Sequence, residues 1–246
     1  MTKAVIVGQS HTVCMSAAAA ATPGWGQFPV YRVRSGDKLS DPDALSNDQA
    51  IDLVRKLNEN VDVFLSIPGT YHNILGLVRS RLDFDFFLNP EDRLLDLDYL
   101  VPRRVITSAF DMHLETEALV PKLKGVAAGR VYVLACPPPK QDNAFMMQRL
   151  LAKWNKPYRG QDIAACGLNR PELRRKLWLI ECERTKFWAE SMGLDFLHAP
   201  HAALNDEGFL AEQYYAEDAT HANEDYGLLI LKLVASVTNQ NKGLLK

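Results

Sequence analysis

The stretch "KAVIVGQSHT" at residues 3–12 places four apolar residues before a glycine and then a polar Ser-His pair. A short apolar run without polar alternation is typical of a strand that is buried on both faces. The polar pair begins where this strand ends, and a helical pattern rich in alanine follows at residues 16–21. The stretch therefore predicts a β-strand, a turn and a crossover helix, which together open a parallel α/β sheet.

Four more segments of this kind follow along the chain. They lie at residues 28–33, 61–67, 130–135 and 194–197, and longer helical patterns separate them. Strands that alternate with helices form parallel sheets with right-handed crossovers. We therefore expect a three-layer α/β/α sandwich with a central, mainly parallel five-stranded sheet. No repeat or flexible linker divides residues 1–246, so we expect one domain.

The helical patterns carry more specific expectations. They predict helices at residues 47–60, 74–81, 108–124, 142–153, 171–192 and 226–237, whereas residues 83–93 fit either an extra strand or an extended loop. In the helix at 171–192, the 3.6-residue period predicts one buried stripe, formed by Leu173, Leu177, Ile180, Arg184 and Phe187. The basic stretch at 170–178 would then be a solvated face of this helix.

The composition excludes several classes of function. Of the 246 residues, 28 are Lys or Arg and 30 are Asp or Glu, and this balance provides no general attraction for nucleic acid or anionic lipid. No apolar run approaches the roughly 20 residues that span a bilayer, and the first apolar run is too short for a signal peptide. We therefore expect a cytoplasmic protein with a small-molecule partner and with no nucleic-acid or membrane partner. The oligomeric state stays open.

Cysteine and histidine spacing gives no indication of a metal or cofactor. The two histidines of "HAPH" at residues 198–201 could bind a metal ion together with His221. Their spacing suits a zinc site only on a helix, and Pro200 disfavours a helix there. We therefore expect His198 and His201 to line a substrate pocket instead. The cysteines lack the spacing of a zinc site or a disulfide framework, so we expect free thiols at Cys14, Cys136, Cys166 and Cys182.

Polar residues follow the predicted strands, at the sheet edge where α/β proteins bind ligands. Ser10 and His11 follow the first strand, Gly36 follows the second, and "PGTYHN" at residues 68–73 follows the third. Ser10 fits either a nucleophile near free helical N–H groups or a helix N-cap. Further along, "DATH" at 218–221 has the spacing in which a carboxylate orients an imidazole base, although the same spacing occurs in helix caps.

These blocks resemble the SGNH hydrolase superfamily, also called GDSL-type esterases and lipases. The pattern is a Ser after the first strand, a Gly after the second, a further block after the third and a late D-x-x-H. The resemblance extends from residue 8 to residue 221, and it is greatest to a bacterial branch with a "GNSH"-like first block and a "GGNEHN"-like third block. The corresponding stretches here are "GQSH" at 8–11 and "PGTYHN" at 68–73. The resemblance implies a flavodoxin-like fold.

The resemblance also implies roles for individual residues. Ser10 would be the nucleophile, His221 the base and Asp218 the partner that orients it. The oxyanion would be bound by the N–H groups of Ser10 and Gly36, together with a donor from the third block.

The third block departs from the family pattern. The family has an Asn where this chain has Thr70, and Tyr71 replaces the neighbouring acidic residue. A threonine hydroxyl donates one hydrogen bond but has a shorter reach than an asparagine amide, so Asn73 is a further candidate donor. Substrate contacts are expected from His11, Tyr71 and His72, beside the two histidines of "HAPH".

The sequence thus predicts a serine esterase that cleaves an acyl or acetyl ester of a small molecule or carbohydrate through an acyl-enzyme, without a cofactor. Two alternatives stay open. An acyltransferase would use the same triad with an alcohol or amine in place of water. A binding protein with this fold and weakened catalysis would be consistent with Thr70 at the asparagine position.

Overall fold

Seven strands and nine helices occur in the computed structural model, which describes residues 3–34, 43–80, 83–92, 99–153 and 161–243. The strands are β1 (Ala4–Gly8), β2 (Val30–Arg32), β3 (Asp62–Ser66), β4 (Phe84–Asp85), β5 (Tyr99–Leu100), β6 (Val131–Leu134) and β7 (Asp195–Leu197). The helices are α1 (Thr12–Ala21), α2 (Asn47–Arg55), α3 (Tyr71–Gly76), α4 (Arg103–Glu115), α5 (Leu119–Val126), α6 (Asn143–Lys153), α7 (Ile163–Cys166), α8 (Pro171–Ser191) and α9 (Glu224–Gly243).

Five of the strands form one parallel sheet in the order β2-β1-β3-β6-β7, and β4 pairs separately with β5. Numbered along the chain, the five-stranded sheet has the 2-1-3-4-5 order of flavodoxin-like folds. The α/β prediction is therefore confirmed, and residues 83–93 contain a short strand. Within the described ranges, no helix is long and apolar enough to cross a membrane.

The two faces of β1 explain why its sequence is uniformly apolar. Ala4 and Ile6 pack in a core shared with α1 and α9, whereas Val5 and Val7 pack in a second core shared with α2 and α5. Because successive side chains of a strand point to opposite faces, a strand covered on both faces needs apolar residues at every position. The sheet is thus the middle of three layers.

Gly8 allows a close approach between the ends of β1 and β3. It pairs with Ser66, and a Cβ atom added to Gly8 would lie 2.5 Å from the Ser66 Cβ and 2.9 Å from the Thr12 Cγ2. Such contacts are shorter than van der Waals distance, so a larger residue would separate the two strand ends. The glycine therefore brings the turn after β1 next to the loop after β3.

The predicted helix at 108–124 is wrong, because two helices occupy this region. α4 ends at Glu115 and α5 begins at Leu119. Between them, the Glu117 carboxylate accepts hydrogen bonds from the N–H groups of Leu119 (2.7 Å) and Val120 (3.3 Å). Pro121 lies in the first turn of α5, where a missing N–H is tolerated. The helix predicted at 74–81 likewise begins earlier, at Tyr71, and ends at Gly76.

The predicted stripe of α8 holds only in its first half. Leu173, Leu177 and Ile180 pack in a core with α4, but Phe187 is 61% exposed and Arg184 is only half-buried. The second half of the helix packs against different elements. Its buried face therefore shifts to a second series at helical spacing, formed by Trp178, Cys182, Thr185 and Ala189.

The prediction that residues 170–178 form a solvated face is also wrong, because Arg174 and Lys176 are buried. The Lys176 ammonium contacts both oxygens of Asp85 (3.1 and 2.9 Å) and the Phe86 carbonyl (3.0 Å). Arg174 donates to the Lys140 carbonyl (2.9 Å) and to other buried acceptors. Buried charges are tolerated when they have such partners.

Candidate active site

Ser10 lies in the turn between β1 and α1. The hydroxyl and N–H of Thr12 both donate to the Gln9 carbonyl (2.6 and 3.0 Å), and the Gln9 N–H donates to the Ser66 carbonyl (3.2 Å). These bonds hold the turn against the end of β3. The N-cap residue of α1 is His11, and no side chain caps this helix. The Ser10 hydroxyl therefore does not have the capping role that its position in the sequence allowed.

Asp218 and His221 are joined directly. Asp218 Oδ2 lies 2.7 Å from His221 Nδ1, and Asp218 Oδ1 accepts the N–H groups of Thr220 and His221, both at 2.8 Å. Burial raises the pKa of Asp218, but the hydrogen bonds from His221 and Thr220 outweigh it and hold the pKa well below its usual range. The carboxylate therefore stays ionised and orients the His221 imidazole through Nδ1.

Two cavities meet at this pair. The first cavity has a volume of about 590 Å³ and is lined by Ser10 and His11. The second has a volume of about 460 Å³ and is lined by Thr70. Asp218 and His221 line both cavities. In the described part of the chain, no hydrogen bond joins the Ser10 hydroxyl to His221. Catalytic hydrogen bonds commonly tighten only when substrate is bound, so a looser pair is compatible with catalysis.

Residues 69–73 form a loop and the first turn of α3 beside the Asp218–His221 pair. Thr70, Tyr71 and Asn73 line the 460 Å³ cavity, and the Tyr71 ring stacks on His113 with ring centroids 4.1 Å apart. His72 lines neither cavity, because it is buried beneath the loop. The structure thus brings Thr70 and Asn73, two of the predicted oxyanion donors, to the cavity that contains His221.

His11 lies next to the proposed base. Its ring centroid is 5.1 Å from that of His221, and the side chain is buried. Burial lowers the pKa of His11, and the neighbouring His221 and His72 lower it further, to about 3. At neutral pH the ring is therefore uncharged, and it packs against His221 without competing with it for a proton.

Lys140 is a site residue that the sequence reasoning missed. Its buried ammonium donates to the backbone carbonyls of Ala216 (2.7 Å) and Asp218, and it lies 4.9 Å from the ring centroids of both Phe145 and Tyr215. Burial lowers the pKa of Lys140 to about 8, although Asp218 opposes the shift. Lys140 therefore stabilises the loop that carries Asp218. The only signal in the sequence is its position directly after "CPPP", at the end of β6.

Two other predicted site residues are not brought to the proposed triad. His198 and His201 are exposed and line neither of the two cavities. Gly36 lies outside the described residues, so its role as an oxyanion donor stays a prediction.

One group of metal-ligating side chains was found in the described ranges. His72, Cys136 and Glu181 are all buried, and their ligand atoms lie within 4.8 Å of one another. The Glu181 carboxylate already accepts hydrogen bonds from the other two side chains and from a backbone N–H, so its oxygens have partners without an ion. The cysteines are free thiols, as predicted.

No model of a known protein family matches the chain, and no curated protein matches it. Similar solved structures include a GDSL-like lipase from Bacteroides thetaiotaomicron, which is 9% identical with a TM-score of 0.45 over 98% of this chain and 89% of that one. A carbohydrate acetylesterase from Sinorhizobium meliloti is 14% identical with a TM-score of 0.40, over 96% and 99%. An extracellular lipase from Streptomyces rimosus is 12% identical with a TM-score of 0.46, over 96% and 100%. The function proposed below rests on the site's own geometry.

Proposed function

We propose that this chain is a serine hydrolase that cleaves a carboxylic ester through Ser10, His221 and Asp218. The observation that carries the proposal is the 2.7 Å contact between Asp218 Oδ2 and His221 Nδ1, at the wall of a cavity that also contains Ser10. An ionised carboxylate that accepts a hydrogen bond from Nδ1–H orients the ring and favours the tautomer whose Nε2 lone pair is free. This is the arrangement that removes a proton from a serine hydroxyl.

In the proposed reaction, His221 Nε2 takes the Ser10 proton while Ser10 Oγ attacks the ester carbonyl carbon. The resulting oxyanion accepts hydrogen bonds from backbone N–H groups at the turn and from Thr70. When the tetrahedral intermediate collapses, the alcohol leaves with the proton from His221. Water then attacks the acyl-enzyme, His221 takes a proton from this water, and the acid departs as Ser10 regains its proton.

The dimensions of the site support a small substrate. Cavities of about 460 and 590 Å³ fall within the range of small-molecule sites, and they lie on two sides of His221. We propose that one cavity binds the acyl group and the other the alcohol of a small-molecule or carbohydrate ester, and that no cofactor takes part.

A fluorophosphonate probe tests the proposal without a known substrate. We expect labelling of the wild-type protein and none of Ser10→Ala. Ser16→Ala is the matched control, because Ser16 is an exposed serine on α1 and its loss should leave the labelling intact. Hydrolysis of 4-nitrophenyl acetate should show the same pattern. A folded wild-type protein that neither reacts with the probe nor hydrolyses the ester at Ser10 would contradict the proposal. Product analysis with added alcohols separates a hydrolase from an acyltransferase.

A further inference from the structure

A buried carboxylate lies beneath loop 69–73. Glu181, on α8, is 4% exposed, and its Oε1 accepts the Tyr71 N–H at 2.6 Å. Its Oε2 accepts hydrogen bonds from His72 Nδ1 and from Cys136 Sγ (3.4 Å), with the His72 N–H also at 3.4 Å. One side chain of α8 therefore contacts both the start of α3 and the segment just after β6.

His72 and Glu181 form an ion pair. Burial lowers the pKa of His72, but the Glu181 carboxylate and Cys136 outweigh it and raise the pKa to about 10, so the ring is positively charged at neutral pH. A buried charge is strongly unfavourable once its partner is removed. Each of the two side chains therefore holds the other in place, and with it the backbone of loop 69–73.

The capping of α3 shows what this arrangement achieves. Thr70 is the N-cap residue, and threonine is a residue type that commonly caps a helix with its own hydroxyl. Here the Thr70 side chain makes no capping bond, and Glu181 accepts the first two helical N–H groups in its place. No hydrogen bond involves the Thr70 hydroxyl or N–H in the described part of the chain. Both donors of Thr70 therefore stay available at the cavity wall.

We infer that Glu181, paired with His72, is a positioning residue that holds loop 69–73 so that Thr70 presents its N–H and hydroxyl to the oxyanion. The inference rests on the function proposed above and adds a residue to its machinery. Glu181 itself does not touch the substrate, since it is buried beneath the loop and lines neither cavity at His221.

A double-mutant cycle tests whether Glu181 acts through Thr70. Glu181→Gln, Thr70→Val and the double variant are compared with the wild type for kcat and KM on 4-nitrophenyl acetate. We expect Glu181→Gln to lower kcat by about 10²-fold, because a misplacement of about 1 Å has this effect, with KM changed by less than about threefold. Relative to Thr70→Val, the double variant should lose much less than the factor that Glu181→Gln loses alone, since the hydroxyl contribution is already gone and only the Thr70 N–H contribution is left to lose. Losses that multiply would overturn the inference.

Asp85→Asn is the matched control. Asp85 is another buried carboxylate that pairs with a charged group of α8, in this case Lys176, and it lines neither cavity. We expect it to lower the melting temperature as Glu181→Gln does but to leave kcat within about twofold of wild type. An equal loss of kcat in both variants would mean that Glu181 acts only through general stability, and the inference would fail.

A second variant covers the case in which Glu181→Gln does not fold. His72→Leu combined with Glu181→Leu replaces the ion pair by apolar side chains, a change that buried sites often tolerate. This variant should fold and still show the loss of kcat. If the folded variant with both His72→Leu and Glu181→Leu keeps the wild-type kcat, the inference fails. It also fails if the purified wild-type protein contains a stoichiometric metal ion and Cys136→Ala abolishes the binding of that ion.

The wild type and Ser10→Ala separate this inference from the proposed function. If the wild-type rate equals that of Ser10→Ala, the proposed function fails and the inference fails with it. If the wild type hydrolyses the ester through Ser10 and Glu181→Gln keeps its kcat, the inference alone fails.

Discussion

Replacing Gly227 with alanine should destabilise the protein, although the same change in a helix usually stabilises. Gly227 lies in the first turns of α9, where it packs against α1. A Cβ atom added there would lie 2.1 Å from the Cys14 carbonyl oxygen and 2.5 Å from the Cys14 carbonyl carbon. Both are backbone atoms inside α1, so no side-chain rotation can relieve the contact. The two helices would have to separate by about 1 Å to restore van der Waals distance.

The magnitude follows from two opposing effects. In a helix interior, replacing glycine with alanine raises the free energy of unfolding by about 0.5–1 kcal/mol. Overpacking typically lowers it by about 1–3 kcal/mol. We expect a net loss of about 1–2 kcal/mol, which corresponds to a fall in melting temperature of roughly 2–8 °C for a chain of this size. The kcat for ester hydrolysis should also fall, because Ser10 precedes α1 and His221 precedes α9.

Urea unfolding and thermal melting measure the stability change, and Gly125→Ala is the matched control. Gly125 is an exposed glycine of α5, and a Cβ atom there would meet nothing within 4 Å. The free energy of unfolding of the Gly125→Ala control should rise by up to about 1 kcal/mol. If Gly227→Ala gains stability as Gly125→Ala does, the close packing of α1 on α9 is refuted.

Three further predictions concern the proposed triad and the residues that support it. Asp218→Asn should lower kcat on a model ester by about 10⁴-fold with the melting temperature nearly unchanged, and near-normal turnover would show that another group orients His221. Because the folded pKa of Asp218 is lowered, its stabilising contribution is complete above about pH 3.9 and is lost as the pH falls from there towards the folded pKa. Urea unfolding at pH 7 and pH 3 should therefore show a larger loss for the wild type than for Asp218→Asn, and equal losses would contradict the shift. Lys140→Met removes the donor that the carbonyls of Ala216 and Asp218 share. We therefore expect a loss of about 1–3 kcal/mol in the free energy of unfolding and a lower kcat. An unchanged kcat in the folded variant would exclude a role for Lys140 at the site.

The sheet was predictable because its signals are local. A strand covered on both faces needs apolar residues throughout, as in β1, and the turn after it needs Gly8. The D-x-x-H spacing was informative for the same reason. Asp218 and His221 are three residues apart, and their hydrogen bonds form within a single turn of the chain.

The supporting residues were not predictable because their partners are distant along the chain. Glu181 contacts Tyr71, which is 110 residues away, and Lys140 contacts the Asp218 carbonyl, which is 78 residues away. A charged residue in a helical pattern normally indicates solvent, and only the tertiary partners of Arg174 and Lys176 make their burial favourable. The α4–α5 boundary was missed for a local reason, since Pro121 could have been recognised as the start of a helix.

The packing of α1 on α9 also determines when the site can form during synthesis. Ser10 is synthesised well before His221 and α9, because most of the described chain lies between them. A nascent chain thus contains the proposed nucleophile long before it contains the proposed base. Under the proposed function, hydrolysis would begin only after α9 docks on α1, and incomplete translation products that end before residue 218 would carry an inert serine.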